Sequence, residues 1–584
     1  MKYDLKAFND AVKYYTQCFC GFKKKMAFVV FDAYNDKAFY SMAPLSRALH
    51  SLGCELHVRG IDKESPSTEA MLDIWEVFDA LNKGIKNQKT KALNDFITEA
   101  DKKAKGDIRK IFKRPDVLIL DMEKDFLVNG EQSIKFRPEW FKKYKWSRLL
   151  ATARTIWSQV YDLKKSEQVG IGFDLVLKDK DIKYPLEDYM DSYAIARTMW
   201  RVCPGKKKPL NAYTSKKTML EPSERVGELA ATMLGCELEK DINEPVFKKF
   251  KVLSSLLRLN RFETNDAAFF IKGEGYGGKH IFGETIGYPT PNRKSRWDFP
   301  GGIIYQLPWY PQTKVDSRAP LSRVAFTDTL PIDVYISSCL IDWLKMKRKN
   351  DILVNLANKS DKIIVESDKT NLEINLLRKN KTHVAPMNSD VDVRWKLDQR
   401  CLKKGIKAGT YANIPGGEMF LSPEWMKGTF SGDVVISVDK SYVLSPKNPL
   451  IVKCNEKGYK ILRGPKDVIK KIHEKKNEAM KVLLQQEKHK SLPKELIAMK
   501  KANFNQIGEF AINTNPKAEL CKYLIVNEKI AGMIHIALGS GFEDDRATIY
   551  HYDIVINAKE QKLDVYGLKG KKRFWMMKKG KLVV

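Results

Sequence analysis

The first two hundred residues alternate short apolar runs with longer amphipathic stretches. Met26-Ala-Phe-Val-Val-Phe-Asp32 has no polar interruption, as a buried strand requires, and Cys54 to Ile61, Asp116 to Asp121 and Val169 to Leu177 repeat that texture. A helix ending near Gly53 is predicted between the first two. Lysine-rich segments at roughly 68–112 and 138–165 also read as helices. Pro185 opens a further helix through Trp200, since proline is tolerated in the first turn. Strands separated by helices predict a mostly parallel, Rossmann-like sheet across 1–202.

From about 203 to 330 glycine, proline and aromatic residues break every periodicity, which predicts an elaboration of short strands and loops. Gly273, Gly275 and Gly278 form a GxGxxG match behind the apolar run Ala267 to Ile271. The residues that follow, Lys279-His-Ile-Phe-Gly-Glu-Thr, do not open a helix, and a helix N-terminus is what would hold a pyrophosphate. A glycine-rich turn is the reading. The region 331–584 alternates strands with two helices, one from Ile341 to Leu356 and one after Gly464-Pro465. The second carries Val468, Ile472, Ala479 and Leu483 at roughly helical spacing. The expected fold class is therefore α/β and α+β, with a Rossmann-like domain at 1–202, an insertion at 203–330 and a mixed domain at 331–584.

Composition narrows the class further. A chain of 584 residues is too long for one core. Hydrophobic residues at 43% and charged residues at 30% exclude wholesale disorder, collagen and a membrane bundle. No apolar run approaches the ~20 residues of a spanning helix, and even the 330s and 340s carry Asp333 and Asp342. The start, MKYDLKAFNDAVKYY, has no apolar stretch behind a basic head, so a cytoplasmic rather than secreted protein is expected. Nine cysteines are too sparse for a disulfide scaffold, and Cys18-Phe19-Cys20 has no matching second pair for structural zinc. Lys plus Arg at 103 against Asp plus Glu at 72 leaves +31. The lysines are dispersed, the runs Lys23–Lys25 and Lys206–Lys208 are short, and no nucleic-acid-reading signature surrounds them. Solvated faces are the reading, and nucleic acid is not an expected partner.

The candidate chemistry lies near the C-terminus. Alternation in Ile530-Ala-Gly-Met-Ile-His-Ile-Ala-Leu-Gly539 puts His535 on one face with Met533 and Ala537. His551 and Asp553, two apart, share a face of the next strand, and the short polar segment between the two strands predicts a hairpin. One hairpin can thus present two histidines and a carboxylate, a set that suits a divalent transition metal. Upstream, Glu418 follows the turn Asn413-Ile-Pro-Gly-Gly417. Glu509 sits in the apolar Ile507-Gly-Glu-Phe-Ala-Ile512, where a buried carboxylate must be paired with a cation such as lysine or bound to metal.

The segments 413–420 (NIPGGEMF), 507–516 (IGEFAINTNP), 532–539 (GMIHIALG) and His551-Tyr-Asp553 resemble, in order, the motifs of the thermophilic metalloaminopeptidases, the aminopeptidase T and aminopeptidase S group. The resemblance covers roughly 380–584. It implies a Rossmann-like domain ahead of a metal-bearing one, a homodimer, and cleavage of the N-terminal bond of a peptide substrate. It also implies that Glu418, Glu509, His535, His551 and Asp553 hold two divalent ions (zinc, cobalt, manganese or magnesium), with Glu418 and Glu509 as the candidates for bridging and for proton transfer. The family's functional tyrosine falls at Phe542, where this chain lacks the hydroxyl. Alternation turns Tyr550 and Tyr552 away from the His551 face. The scaffold is also similar to 2,5-dihydroxypyridine ring-opening dioxygenases, for which His535, His551 and Asp553 would hold one Fe(II). The presence of both Glu418 and Glu509 favours the two-ion hydrolase, and a binding protein with a vestigial site is the third alternative.

Overall fold

The computed structural model describes residues 3–23, 26–61, 117–122, 126–129, 132–142, 146–178, 185–213, 267–272, 323–389, 393, 410–489, 494–541, 545–546 and 548–584. They fall into two compact units, the first formed by 1–154, 163–278 and 299–303, the second by 155–162, 279–298 and 304–584. The GxGxxG segment, most of the 203–330 region and the predicted helices of 68–112 lie outside the described residues.

In the first unit the strands are β1 (Met26–Asp32), β2 (Glu55–Ile61), β3 (Val117–Met122), β4 (Phe126–Asn129), β5 (Gln132–Lys135), β6 (Gln168–Asp174), β7 (Lys206–Tyr213) and β8 (Ala267–Lys272). Their order in the sheet is β8-β6-β7-β2-β1-β3-β4-β5. β1 pairs in parallel with β2 and β3, and β6 with β7 and β8. The helices Asp36–Ser51 and Leu186–Arg201 supply the crossovers between β1 and β2 and between β6 and β7. Asn35 caps the first of these by accepting from the amides of Lys37 and Ala38. Pro185 stands at the N-cap of the second.

The two parallel runs meet through an antiparallel β2–β7 pair, and β3, β4 and β5 also pair antiparallel. Four of the seven pairings are parallel and three antiparallel, so the sheet is mixed with a parallel majority. Two boundaries differ from the sequence reading. The strand after Val169 ends at Asp174 rather than running to Leu177. The helix expected over 138–165 is described only as Trp146–Thr155 plus one wider turn, Ile156–Val160: residues 136–142 hold a single turn bond, Phe141 N to Pro138 O, and Tyr161 closes the wider turn onto Ile156 O.

The second unit adds β9 (Arg323–Asp328), β10 (Lys362–Glu366), β11 (Asn371–Asn375), β12 (Met387–Asn388), β13 (Thr410–Asn413), β14 (Glu418–Leu421), β15 (Trp425–Gly432), β16 (Val435–Ser437) and β17 (Ser441–Val443). It continues with β18 (Leu450–Asn455), β19 (Gly458–Arg463), β20 (Ile507–Asn513), β21 (Ile534–Gly539), β22 (His551–Ile556), β23 (Asp564–Lys569), β24 (Lys572–Lys578) and β25 (Lys581–Leu582). β9 and β13 form a parallel pair. The rest make two antiparallel sheets, β19-β18-β15-β11-β10-β23-β24-β25 and β12-β14-β20-β21-β22-β16-β17. The helix expected from Ile341 runs Trp343–Asn358 behind an Asp342 cap. The lysine-rich helix runs Lys466–Lys488, burying Val468, Ile472 and Leu483.

One apolar cluster joins the two sheets. Met419, Leu421, Phe510, Ile512, Ile534, Ile536, Leu538, Ile554 and Ile556 of the seven-stranded sheet share it with Ile363, Val365, Ile374, Phe430 and Val565 of the eight-stranded one. Each such side chain contributes about 1.5–3 kcal/mol on burial. Because strands alternate, this core fixes which residues of β14, β20, β21 and β22 face the other way. Among those residues are Glu418, Glu509, His535, His551 and Asp553. Among the described residues no helix is long and apolar enough to cross a membrane, and Cys18 and Cys20 are free thiols.

Candidate metal centre

The register of the sheet sets the site. Ala537 lies opposite Glu509 on one side and opposite Asp553 on the other. Gly539 lies opposite His551, and His535 is flanked by Ala511 and Val555. Small residues on the middle strand leave room above the sheet for carboxylates and imidazoles from its neighbours. Glu418, Glu509, His535 and Asp553 are all buried, and His551 alone is partly open.

Glu509 reaches this face through an irregularity. Ile507 pairs with Leu538 and Glu509 with Ala537, so Gly508 is an extra residue in β20. Ile507 consequently joins the apolar core although Glu509, two positions on, faces away from it. Only glycine fits at this bulge, since a Cβ would lie 2.0 Å from Ser540 O.

A second turn delivers Glu418. Gly417 has φ +131°, and a Cβ there would lie 2.6 Å from Asn515 Cβ. Asn515 Nδ2 donates to Gly416 O at 2.9 Å, and the Thr514 amide donates to Gly417 O at 2.8 Å. The Ile-Pro-Gly-Gly-Glu and Asn-Thr-Asn-Pro segments are thus two halves of one device. The second holds the turn from which the first projects its carboxylate.

Five ligand-type side chains meet in two groups of three, Glu418 with Glu509 and His535, and Glu509 with His551 and Asp553; within each group the ligand atoms lie within 4.8 Å of one another. Glu509 belongs to both. Its Oε1 is 3.2 Å from His535 Nε2, and its Oε2 is 3.3 Å from His551 Nε2. His551 Nε2 is also 3.1 Å from Asp553 Oδ1, and His535 Nε2 is 3.7 Å from Glu418 Oε2. The far side of each ring is tied down. His535 Nδ1 donates to Asn513 Oδ1 at 2.8 Å, and His551 Nδ1 donates to Ser540 O at 2.7 Å. Each histidine therefore turns Nε2 toward Glu509.

Three residues at this site escaped the sequence reading. Asn513 sets the tautomer of His535. Lys529, with 2% of its side chain exposed, donates to Glu418 Oε1 at 2.6 Å and contacts Glu528 Oε1 at 2.9 Å. The only sequence signal is position: Asn513 lies within the 507–516 segment, and Glu528 and Lys529 lie just ahead of 532–539. The alternative that Glu509 pairs with a buried lysine is not what the structure holds, because the lysine stands on Glu418. Phe542 lies outside the described residues. Tyr550 and Tyr552 are buried in the apolar cluster, where the Tyr550 hydroxyl donates to Phe504 O.

Electrostatics follow from crowding charges out of water. Burial alone would lower the histidines, but the Glu509 carboxylate, helped by Glu418 and Asp553, holds His535 up to about 9. Asp553 and Glu509 likewise outweigh burial and hold His551 well above its ordinary range. Burial would raise Asp553 and Glu509; the adjacent imidazoliums instead hold Asp553 at about 2 and keep Glu509 low. Burial raises Glu418 against the pull of Lys529 and His535, and it pushes Glu528 up to about 7.

These residues fit divalent metal. Glu418 Oε2 is buried and accepts no hydrogen bond, a costly state for a carboxylate oxygen unless a cation satisfies it. The donor set of imidazole and carboxylate is that of zinc, cobalt or manganese sites.

No known family matches the chain, and no curated protein matches it. Among solved structures, wild-type AmpT from Thermus thermophilus is similar at 13% identity, covering 75% of this chain and 99% of that chain, with a TM-score of 0.42. Likeness at that level carries no assignment of family or activity.

Proposed function

We propose that this chain is a metal-dependent hydrolase that releases the N-terminal residue of peptides, with two divalent ions held by Glu418, Glu509, His535, His551 and Asp553. The observation that carries the reading is Glu509, whose two oxygens face two different histidines at 3.2 and 3.3 Å. One carboxylate shared by two three-residue groups suits a binuclear centre, and a single-iron site has no use for it. The choice of peptides comes from the motif resemblance, as does the proposed homodimer, and the proposed cytoplasmic setting comes from the sparse cysteines.

Bound ions would draw a shared water toward neutral pKa and polarise the scissile carbonyl. The protein's own residues divide the remaining work. Glu509 is the shared ligand. Asn513 and Ser540 orient the imidazoles so that Nε2 is presented. Glu418 is fixed by Lys529 and has only Oε2 to offer. Neither Glu418 nor Glu509 keeps a free oxygen for moving a proton. Glu528 belongs to neither group, and burial holds its carboxyl at about 7; we assign it the proton relay to the leaving amine.

Two measurements test the reading. Elemental analysis of protein purified without chelators should give close to two equivalents of zinc, cobalt, manganese or magnesium per chain. Free peptides should be cleaved and their N-acetylated forms left intact, because the free amine is expected to take a metal position. One equivalent of iron, or equal turnover of both peptide forms, would overturn it.

A further inference from the structure

Resting on the two-ion reading above, we propose that the two metal positions are unequal and fill in order. The Glu509, His551 and Asp553 group takes the first ion. The Glu418, Glu509 and His535 group takes the second, more weakly, because Lys529 already holds Glu418.

The two groups look alike as ligand sets, each with two carboxylates and one imidazole. They differ in what stands behind the carboxylates. Among the described residues, the ion-pair partners of Glu509 and Asp553 are histidines. An arriving ion there meets no lysine or arginine in contact with its carboxylates among the described residues. Glu418 instead has a buried ammonium 2.6 Å from its Oε1. An ion on that side must sit near a fixed positive charge in a site almost sealed from water, where like-charge repulsion is little screened. It must also use Glu418 through Oε2, since Oε1 belongs to Lys529. Glu528, 2.9 Å from the same ammonium, offsets part of that charge but is a member of neither group.

Access points the same way. The His551 side chain is 27% exposed, against 5% or less for the other four ligands. The first group is therefore the one that faces solvent. Lys529 acts through Glu418 and is a positioning residue: it decides how much metal the second position needs before it fills. At limiting metal the chain would hold one ion, and only higher supply would complete the pair.

The test uses the full chain, freed of metal with a chelator and reloaded with zinc. At one equivalent, anomalous diffraction should show a peak among Glu509, His551 and Asp553, with the second peak appearing only in excess zinc. Calorimetric titration should resolve two steps separated by at least about tenfold in Kd. His551→Ala should remove the tight step and keep the weak one. Lys529→Met should narrow the gap, and an unchanged gap in a folded K529M protein would overturn the role given to the lysine. Should K529M fail to fold, the wild-type anomalous maps still decide. Equal filling at one equivalent, or filling that begins beside Glu418, would overturn the proposal. No zinc peak even in excess would instead overturn the metal reading on which it rests.

Discussion

Asn513 and His535 are diagonal neighbours on β20 and β21, joined by a 2.8 Å hydrogen bond from the imidazole Nδ1 to the amide Oδ1. That bond keeps a proton on Nδ1, away from Glu509, and turns Nε2 to face the carboxylate. A histidine without such a partner can present either nitrogen.

Asn513→Ala should therefore leave the fold intact while weakening zinc binding by about 10–100-fold, the usual effect of removing a group that orients a ligand. Competition against a chromogenic chelator, with circular dichroism as the control, measures it. Unchanged affinity would show that packing alone orients His535.

Metal-free protein should have a characteristic pH window. His535 is held up to about 9, so its contribution to stability is complete below its unfolded value of about 6.5 and is lost as pH rises through about 9. Asp553 is held at about 2, so its contribution is complete above its unfolded value of about 3.9 and is lost as pH falls through about 2. Chelated protein should melt at a higher temperature at pH 5 than at pH 9, and metal should remove the alkaline loss by replacing the protons. Calorimetry that gives an equal or higher Tm at pH 9 without metal would contradict these ion pairs.

Glu528→Gln should retain two ions and lose hydrolysis by about 100-fold or more, the scale of a positioned proton-transfer group. Glu509→Gln should lower metal content and activity together, since it removes the shared ligand charge. If E528Q kept full kcat at neutral pH, the relay would belong elsewhere.

Phe542→Tyr supplies the hydroxyl that the resembled family carries at this position. Metal content should stay constant while turnover of a short peptide rises about 10–100-fold, as expected for a new donor to the developing oxyanion. A slower F542Y enzyme with both ions in place would mean that the site is built around the phenylalanine.

What the sequence disclosed depended on period and spacing. Strict alternation located His535, His551 and Asp553 on one face, and the hairpin is there in β21 and β22. The same alternation applied to β20 would have put Ile507 and Glu509 together, because an extra residue in a strand leaves no periodic trace. Lys529 was silent for another reason. It sits in a turn 111 residues from Glu418, and only the folded chain brings such partners together. In the first unit, antiparallel β2–β7 pairing was equally hidden, since helix–strand alternation reports crossovers and not the direction in which two halves join.

Gly508 also makes this strand respond differently to loss and to replacement of one residue. Because it is the residue in excess, deleting it would leave Ile507 and Glu509 adjacent in a regular strand, and adjacent residues face opposite sides. The isoleucine would stay in the core and the carboxylate in the polar cluster. Replacement is the harsher change, since any Cβ at 508 meets Ser540 O at 2.0 Å. A lineage could therefore drop this glycine and keep the shared ligand, whereas one that exchanged it for a larger residue could lose the site and still show all five ligand residues in its sequence.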